Sequence, residues 1–493
     1  MSVRRSIAFS ALDRYLTQVL TIGTTMVMAR ILTPAETGLF FVANAVIVLA
    51  DNFREFGVSN YIVQERTISR AMVQCAFTVT CGLSLVIGAG FFLGADALSA
   101  FYGEPHLKPL IEAATLSFLV IPFATPVLSL LRRDLAFRAL AIINVLAAVG
   151  NTIVTIVLGL GGYGAISYMW GYVAANAIMA FAAYSFRPEL WMYRPSLSGI
   201  RRLLSFGVAS SSVTLITMAY EMLPRLAFGK LLGFDAVGLY SRAIAVCQLP
   251  DRAIVAALQP VVLPAMAGQA REGRQLKPAY LHGFELMSAV QWPMLLMLAI
   301  LADPAVKVLL GSQWGAVPPL VRLVAIGTMA LAPAFLTYPV LVASGRIRDT
   351  VYISVISVPP SILLVIYAAK VYGLLGVAAS LLVIAPLQML ISLLFIRRAI
   401  GLTFRELASA ACSSGFLTLG TALVPCLILV WSPRGFDLDW LQTCGALLGA
   451  AVGWGAALLV GNHPLGQEIA VVVRHVFGAL RLQRPAMNVA SPE

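Results

Sequence analysis

The chain has 493 residues, 60% of them hydrophobic and only 11% charged, with a net charge of +12 and a mean hydropathy of +0.89. Soluble domains are about a quarter charged, so a soluble fold is excluded. Runs of about 20 apolar residues, long enough to cross a bilayer, recur to the end of the chain.

The opening segment MSVRRSIAFSALDRY is basic and lacks the apolar core and cleavage site of a signal peptide. It reads as a retained flank of the first span. Fourteen helical segments are predicted: 9–30, 38–58, 72–95, 109–131, 139–160, 163–185, 203–228, 237–262, 284–302, 320–343, 350–370, 373–396, 409–431 and 441–461. With the N-terminus cytoplasmic, 22 of the 34 Lys and Arg residues fall on that side and six on the other. That asymmetry sets both termini inside and supports an even number of spans. It also accounts for the basic balance without nucleic acid. The connections are too short for an extracytoplasmic domain, the longest lying near 96–108, 303–319 and 432–440.

The halves echo each other 200 residues apart. Arg30 aligns with Lys230, Leu32 with Leu232, Gly38-Leu39 with Gly238-Leu239, and Asp51 with Asp251. Six helices per half place both halves in the same orientation, a parallel repeat about the membrane normal. The expected domains are 1–200, 201–400, and a pair of added helices with a basic tail over 401–493. Prolines such as Pro126, Pro224, Pro250 and Pro293 interrupt several spans. They suit bent, moving helices, although proline is common in membrane helices generally.

Charged residues inside the spans are the functional candidates. The first segment carries Arg14, Gln18, Thr21 and Thr25 on one face. The seventh carries Ser210, Thr214, Thr217, Glu221 and Arg225. The second holds Asp51, Arg54 and Glu55, and the eighth holds Arg242, Asp251 and Arg252. A central Arg or Asp costs about 2.5–3.5 kcal/mol on insertion scales. Two readings follow. The charges form local ion pairs: Asp51 with Arg54, Glu221 with Arg225, and Asp251 with Arg252 or Arg242. Alternatively, Arg14, Arg54, Arg225, Arg242 and Arg252 also line a cavity for an anion, since guanidinium binds phosphate oxygens in a fork and stays charged. Asp51, Glu55, Glu221, Asp251 and Glu285 then balance charge or couple transport to H⁺ or Na⁺.

Other signals are weaker. The six cysteines and four histidines show no metal-ligand spacing. Arg242 and Arg322 lie near enough to span ends to snorkel. Trp170, Tyr172, Trp191, Trp292, Trp314 and Trp440 read mostly as interfacial belt residues. Gly229-Lys230 is followed by Leu231 rather than Ser or Thr, so there is no Walker motif. No catalytic residue, metal or cofactor is expected.

The stretches ARILTPAETGLFFVANAVIV and DNFREFGVSNYIVQE resemble the first two helices of bacterial polysaccharide transporters in the multidrug/oligosaccharidyl-lipid/polysaccharide (MOP) flippase superfamily. GKLLGFDAVGLYSRAIAV resembles the second-half echo, and LLGSQWGAVPPLVRL the segment before the tenth helix. The similarity spans roughly residues 1–400. It is strongest toward exopolysaccharide exporters of the colanic acid and succinoglycan type, while Pro250-Asp251-Arg252 departs from the pattern. The resemblance implies an all-α polytopic membrane fold with two six-helix lobes forming a V around a cavity. It implies a flippase in the bacterial inner membrane that carries undecaprenyl-pyrophosphate-linked repeat units for exopolysaccharide or lipopolysaccharide biosynthesis by alternating access. A polysaccharide polymerase and a chain-length regulator are the expected partners. The alternatives are a multidrug/cation antiporter of the same superfamily and, from another class, a membrane polymerase or ligase.

Overall fold

In the computed structural model, residues 3–65, 67–461 and 463–468 are described; the side chains of 3–11, 209–217, 219–221, 251–261 and 263–265 lie outside that description. All regular structure among the described residues is helical. The main helices are α1 (Val3–Ile31), α2 (Pro34–Glu55), α3 (Val58–Gln64), α4 (Arg70–Tyr102), α5 (Leu107–Arg133), α6 (Phe137–Leu160) and α7 (Ile166–Phe186). The chain continues through α8 (Ile200–Leu231), α9 (Phe234–Arg271), α10 (Leu276–Ile300), α11 (Ala302–Leu309), α12 (Pro318–Met329) and α13 (Thr337–Ala343). It ends with α14 (Ile347–Ile400), α15 (Phe404–Trp431) and α16 (Trp440–Val460).

Every predicted segment falls on helix, but the boundaries move for physical reasons. The second starts at Pro34 rather than 38. Thr33 accepts the Glu36 amide at 3.2 Å, and Glu36 accepts the Thr33 amide at 2.9 Å. This capping box, with proline at the first helical position, nucleates the turn. The same helix stops at Glu55, where Phe56 (φ 40°) and Gly57 (φ 67°) both adopt left-handed backbone, and α3 resumes at Val58. The predicted segments 350–370 and 373–396 run together as α14, broken only at Gly373 (φ 63°, ψ −149°). Segment 320–343 is bent by 52° between α12 and the helix after it. Among the described residues, nine helices are long and apolar enough to cross a membrane, ten if the bent pair counts as one. The expected long connections are largely helical: α4 reaches Tyr102, and α11 fills 302–309.

The chain forms two compact units. The first comprises Met1–Arg242, Val306–Val317 and Ile362–Val377. The second comprises Ala243–Ala305, Pro318–Ser361 and Ala378–Glu493. In the first, α6 packs on α1 and α7, and α5 on α4 and α7, while α2 packs on α8. Its buried apolar core has two parts. One includes Leu39, Ala50, Ile111 and Phe118; the other includes Val58, Ile62, Val127 and Met192. Along α2 and α3, residues 51–57 separate the two.

In the second unit α10 packs on α12 and α15, and α15 on α16. Gly420 and Gly453 let α15 and α16 meet backbone to backbone; a Cβ on either would collide with the other helix. Small residues serve this purpose where no hydrophobic effect drives helices together.

Candidate functional site: a charged ladder between α2, α7 and α9

Asp51 and Arg54 occupy the last turn of α2, where one face meets α7. The Arg54 Nε donates to Asp51 Oδ1 at 3.2 Å. Tyr172 of α7 donates its hydroxyl to the other carboxylate oxygen. The local pairing expected of Asp51 and Arg54 is therefore present, with a third member. Arg54 is 7% exposed, and its Nη1 has no hydrogen-bond partner. Glu55, half-buried, closes α2 beside them and forms no ion pair among the described residues.

Tyr172 is one rung of a ladder. Tyr168, Tyr172 and Asn176 stand at i, i+4 and i+8 on one face of α7. The Asn176 amide donates to the Tyr172 carbonyl at 2.9 Å. Tyr168 accepts a hydrogen bond from Arg242 Nη2 at 3.1 Å and stacks on Phe40 with ring centroids 4.1 Å apart. The belt role expected of Tyr172 is replaced by an interior one. Its i+4 spacing to Tyr168 and Asn176 in an otherwise apolar helix was the available signal.

Arg225 and Arg242 converge on one aromatic ring. Their guanidinium carbons lie 5.4 and 5.6 Å from the centre of Phe41. Arg242 does not snorkel; it is 2% exposed, and its other neighbour is the Trp314 ring at 5.6 Å. Trp314 is no belt residue either. It is fully buried, and its indole N–H donates to the Ala29 carbonyl at 2.7 Å. Arg322, in the second unit, pairs with Asp303 and lies 3.9 Å from the centre of the Phe436 ring.

The remaining candidates are dispersed. Arg14 is exposed on α1. Beside it the half-buried Asp13, absent from the predicted set, accepts the Asn144 amide at 2.9 Å. Glu285 belongs to the second unit; because α10 starts at Leu276, it lies well inside that helix. The side chains of Glu221, Asp251 and Arg252, like those of Ser210, Thr214 and Thr217, lie outside the described residues. No group of three His, Cys, Asp or Glu able to hold a metal occurs among the described residues.

Buried guanidinium groups among aromatic rings, held on helices that cross at Gly38 and Gly238, sit within the region 27–319 that matches the polysaccharide biosynthesis protein family model. The chain belongs to the polysaccharide biosynthesis protein family. It is similar to the lipopolysaccharide biosynthesis protein WzxC of Escherichia coli (strain K12). That protein is 24% identical over 403 residues, which cover 81% of this chain and 82% of WzxC. The succinoglycan biosynthesis transport protein ExoT of Rhizobium meliloti (strain 1021) is 25% identical, covering 70% of each chain. Two solved membrane proteins share the fold. The lipid II flippase MurJ in its inward closed conformation matches with a TM-score of 0.70 at 14% identity, over 92% of this chain and 99% of MurJ. An inward-facing multidrug resistance MATE transporter matches with a TM-score of 0.62 at 16% identity, over 79% of this chain and 98% of the transporter.

Proposed function

We propose that this family member is a flippase that moves undecaprenyl-pyrophosphate-linked oligosaccharide repeat units across the bacterial inner membrane by alternating access. The carrying observation is the state of its buried arginines. Arg54 and Arg242 each keep a guanidinium nitrogen without a hydrogen-bond partner inside apolar helices. An unsatisfied buried donor is costly, and a charged one more so. A pyrophosphate, with several anionic oxygens at fixed spacing, satisfies such groups by forked hydrogen bonds. Arg225 joins Arg242 against Phe41; Arg14, exposed on α1, and Arg252 are further members of the proposed cationic set.

The relatives named for lipopolysaccharide and succinoglycan biosynthesis favour a glycan cargo. A cavity of about 480 Å³ in the second unit, lined by Val246, Pro293, Met297, Ala450 and Trp454 among others, has the apolar character a prenyl chain needs. The two-lobe parallel repeat is supported at one point. The backbones of Gly38 and Gly238 meet, with Phe234 and Pro34 as the reciprocal carbonyls, all related by the 200-residue offset. In this reading both termini are cytoplasmic, and the lobes are 1–200 and 201–400, followed by a helix pair and basic tail over 401–493. A polymerase and a chain-length regulator act on the delivered units. Asp51, Glu55, Glu285, Glu221 and Asp251 supply charge balance or H⁺ or Na⁺ coupling. A cation-selective antiporter is disfavoured because the convergent buried groups are arginines.

The test is reconstitution with a fluorescent pyrophosphate-linked glycolipid. Wild type should move the headgroup across the bilayer, and Arg54→Ala and Arg225→Ala should not. Equal transport by all three would remove the assignment.

A further inference from the structure

Arg242 is buried, and no carboxylate pairs with it among the described residues. Among those residues its contacts are the Tyr168 hydroxyl and the faces of Phe41 and Trp314. Its Nε has no hydrogen-bond partner. Cation–π contacts return about 0.5–2 kcal/mol each, less than the several kcal/mol that desolvating an ion costs. The arrangement around Arg242 is therefore penalised by the charge it encloses.

That enclosure is held together by backbone contacts. Trp314 and Gln313 donate to the Ala29 carbonyl, and Gln313 also to Leu32 at 3.0 Å. Arg30 donates to the Val308 carbonyl at 2.8 Å. One turn before Phe41 and Arg242, α2 and α9 cross at Gly38 and Gly238, so closely that a Cβ on either would collide with a carbonyl of the other helix. The hydroxyls of Thr37 and Ser241, buried in the same turns, have no hydrogen-bond partner. Parting α2 from α9 at this point therefore breaks no hydrogen bond of either hydroxyl.

We propose that Arg242 is the sequestered member of the phosphate-binding set in this conformation, and that its capture by the substrate's pyrophosphate releases the Gly38–Gly238 crossing. The inference rests on the flippase reading and adds a trigger to it. Arg225 and Arg242 both stand against the Phe41 ring, so an anion held at Arg225 lies close to Arg242. To engage Arg242 it must displace Phe41 or Trp314, the two rings that cover the guanidinium. A ligand moves an equilibrium only by its differential affinity. Here the difference is large, because Arg242 is covered in one state and can fork onto phosphate in the other.

The test uses full-length protein with its native cysteines replaced and Thr37→Cys as reporter, reconstituted in liposomes and exposed to a membrane-impermeant maleimide. Inorganic pyrophosphate is the probe, and its retention is measured separately with a radiolabel. Pyrophosphate should speed labelling on the order of tenfold, within the usual range of coupling between sites. Arg242→Gln should slow unliganded labelling and abolish the acceleration, whereas Arg242→Lys should preserve part of it. Faster unliganded labelling of Arg242→Gln would make Arg242 a strut that stabilises closure and overturn the proposal. Equal acceleration in wild type and Arg242→Gln would overturn it too. Retention of pyrophosphate with unchanged labelling would sink the trigger alone. No retention by wild type would sink the pyrophosphate reading with it.

Discussion

Tyr168 and Tyr172 stand one turn apart on α7, and their hydroxyls meet charges of opposite sign. Tyr168 accepts from Arg242, and Tyr172 donates to Asp51. One helix face thus connects the buried cation of α9 to the ion pair that ends α2. Each tyrosine stabilises a charge that the surrounding apolar helices cannot.

Tyr172→Phe should cost about 1.5–3 kcal/mol, the usual value of a hydrogen bond to a charged group. Asp51→Asn should cost a similar amount, and the double variant less than the sum, because both remove one interaction. Thermal unfolding in detergent checks this; additive losses would mean that the hydroxyl and the carboxylate act independently.

Arg54→Lys retains the charge but loses the fork. Transport of a pyrophosphate-linked lipid should fall about tenfold, the loss of roughly one charge-assisted hydrogen bond, while the melting temperature stays near that of wild type. A melting temperature that drops in step with transport would instead place Arg54 in the scaffold.

Gly38→Ala and Gly238→Ala should each destabilise by about 1–3 kcal/mol, because the added methyl drives a carbonyl away. Gly82→Ala is the control. Its Cβ meets nothing within 4 Å, so removal of a mid-helix glycine should stabilise by about 0.5–1 kcal/mol. Thermal unfolding of the three variants separates close approach from helix propensity.

His463, just beyond α16, is 1% exposed. Its Nδ1 accepts the Leu465 amide at 3.2 Å, and its Nε2 faces the Ser414 hydroxyl at 3.4 Å. Burial, with a smaller contribution from His282, pushes the imidazole below its ordinary value. The folded state therefore binds this proton less readily than the unfolded chain. Stability from this site is intact above the unfolded value of about 6.5. It declines as pH falls from there toward the lower folded value. Hydrogen exchange at Leu465 should accelerate through that window, and His463→Leu should flatten the dependence.

Composition and periodicity alone determine a polytopic helical protein, because the cost of exposing backbone polar groups in lipid leaves few alternatives to helices. The charges at 51, 54, 225 and 242 are conspicuous in the sequence because each interrupts an apolar run. So is the Thr33–Glu36 cap, which is a local interaction. Partners across helices are not local, and only the tertiary structure decided them. Helical periodicity places Tyr172 on a face of α7 but does not say that α2 lies opposite, and so a hydrogen-bond donor to Asp51 reads as a belt residue. Trp314 and Arg242 look interfacial by position along the chain, yet they are buried because Ala29, Phe41 and Tyr168 close over them from remote segments. The glycines at 38 and 238 read as repeat markers; their close approach follows from the crossing of α2 and α9, a contact between residues 200 positions apart.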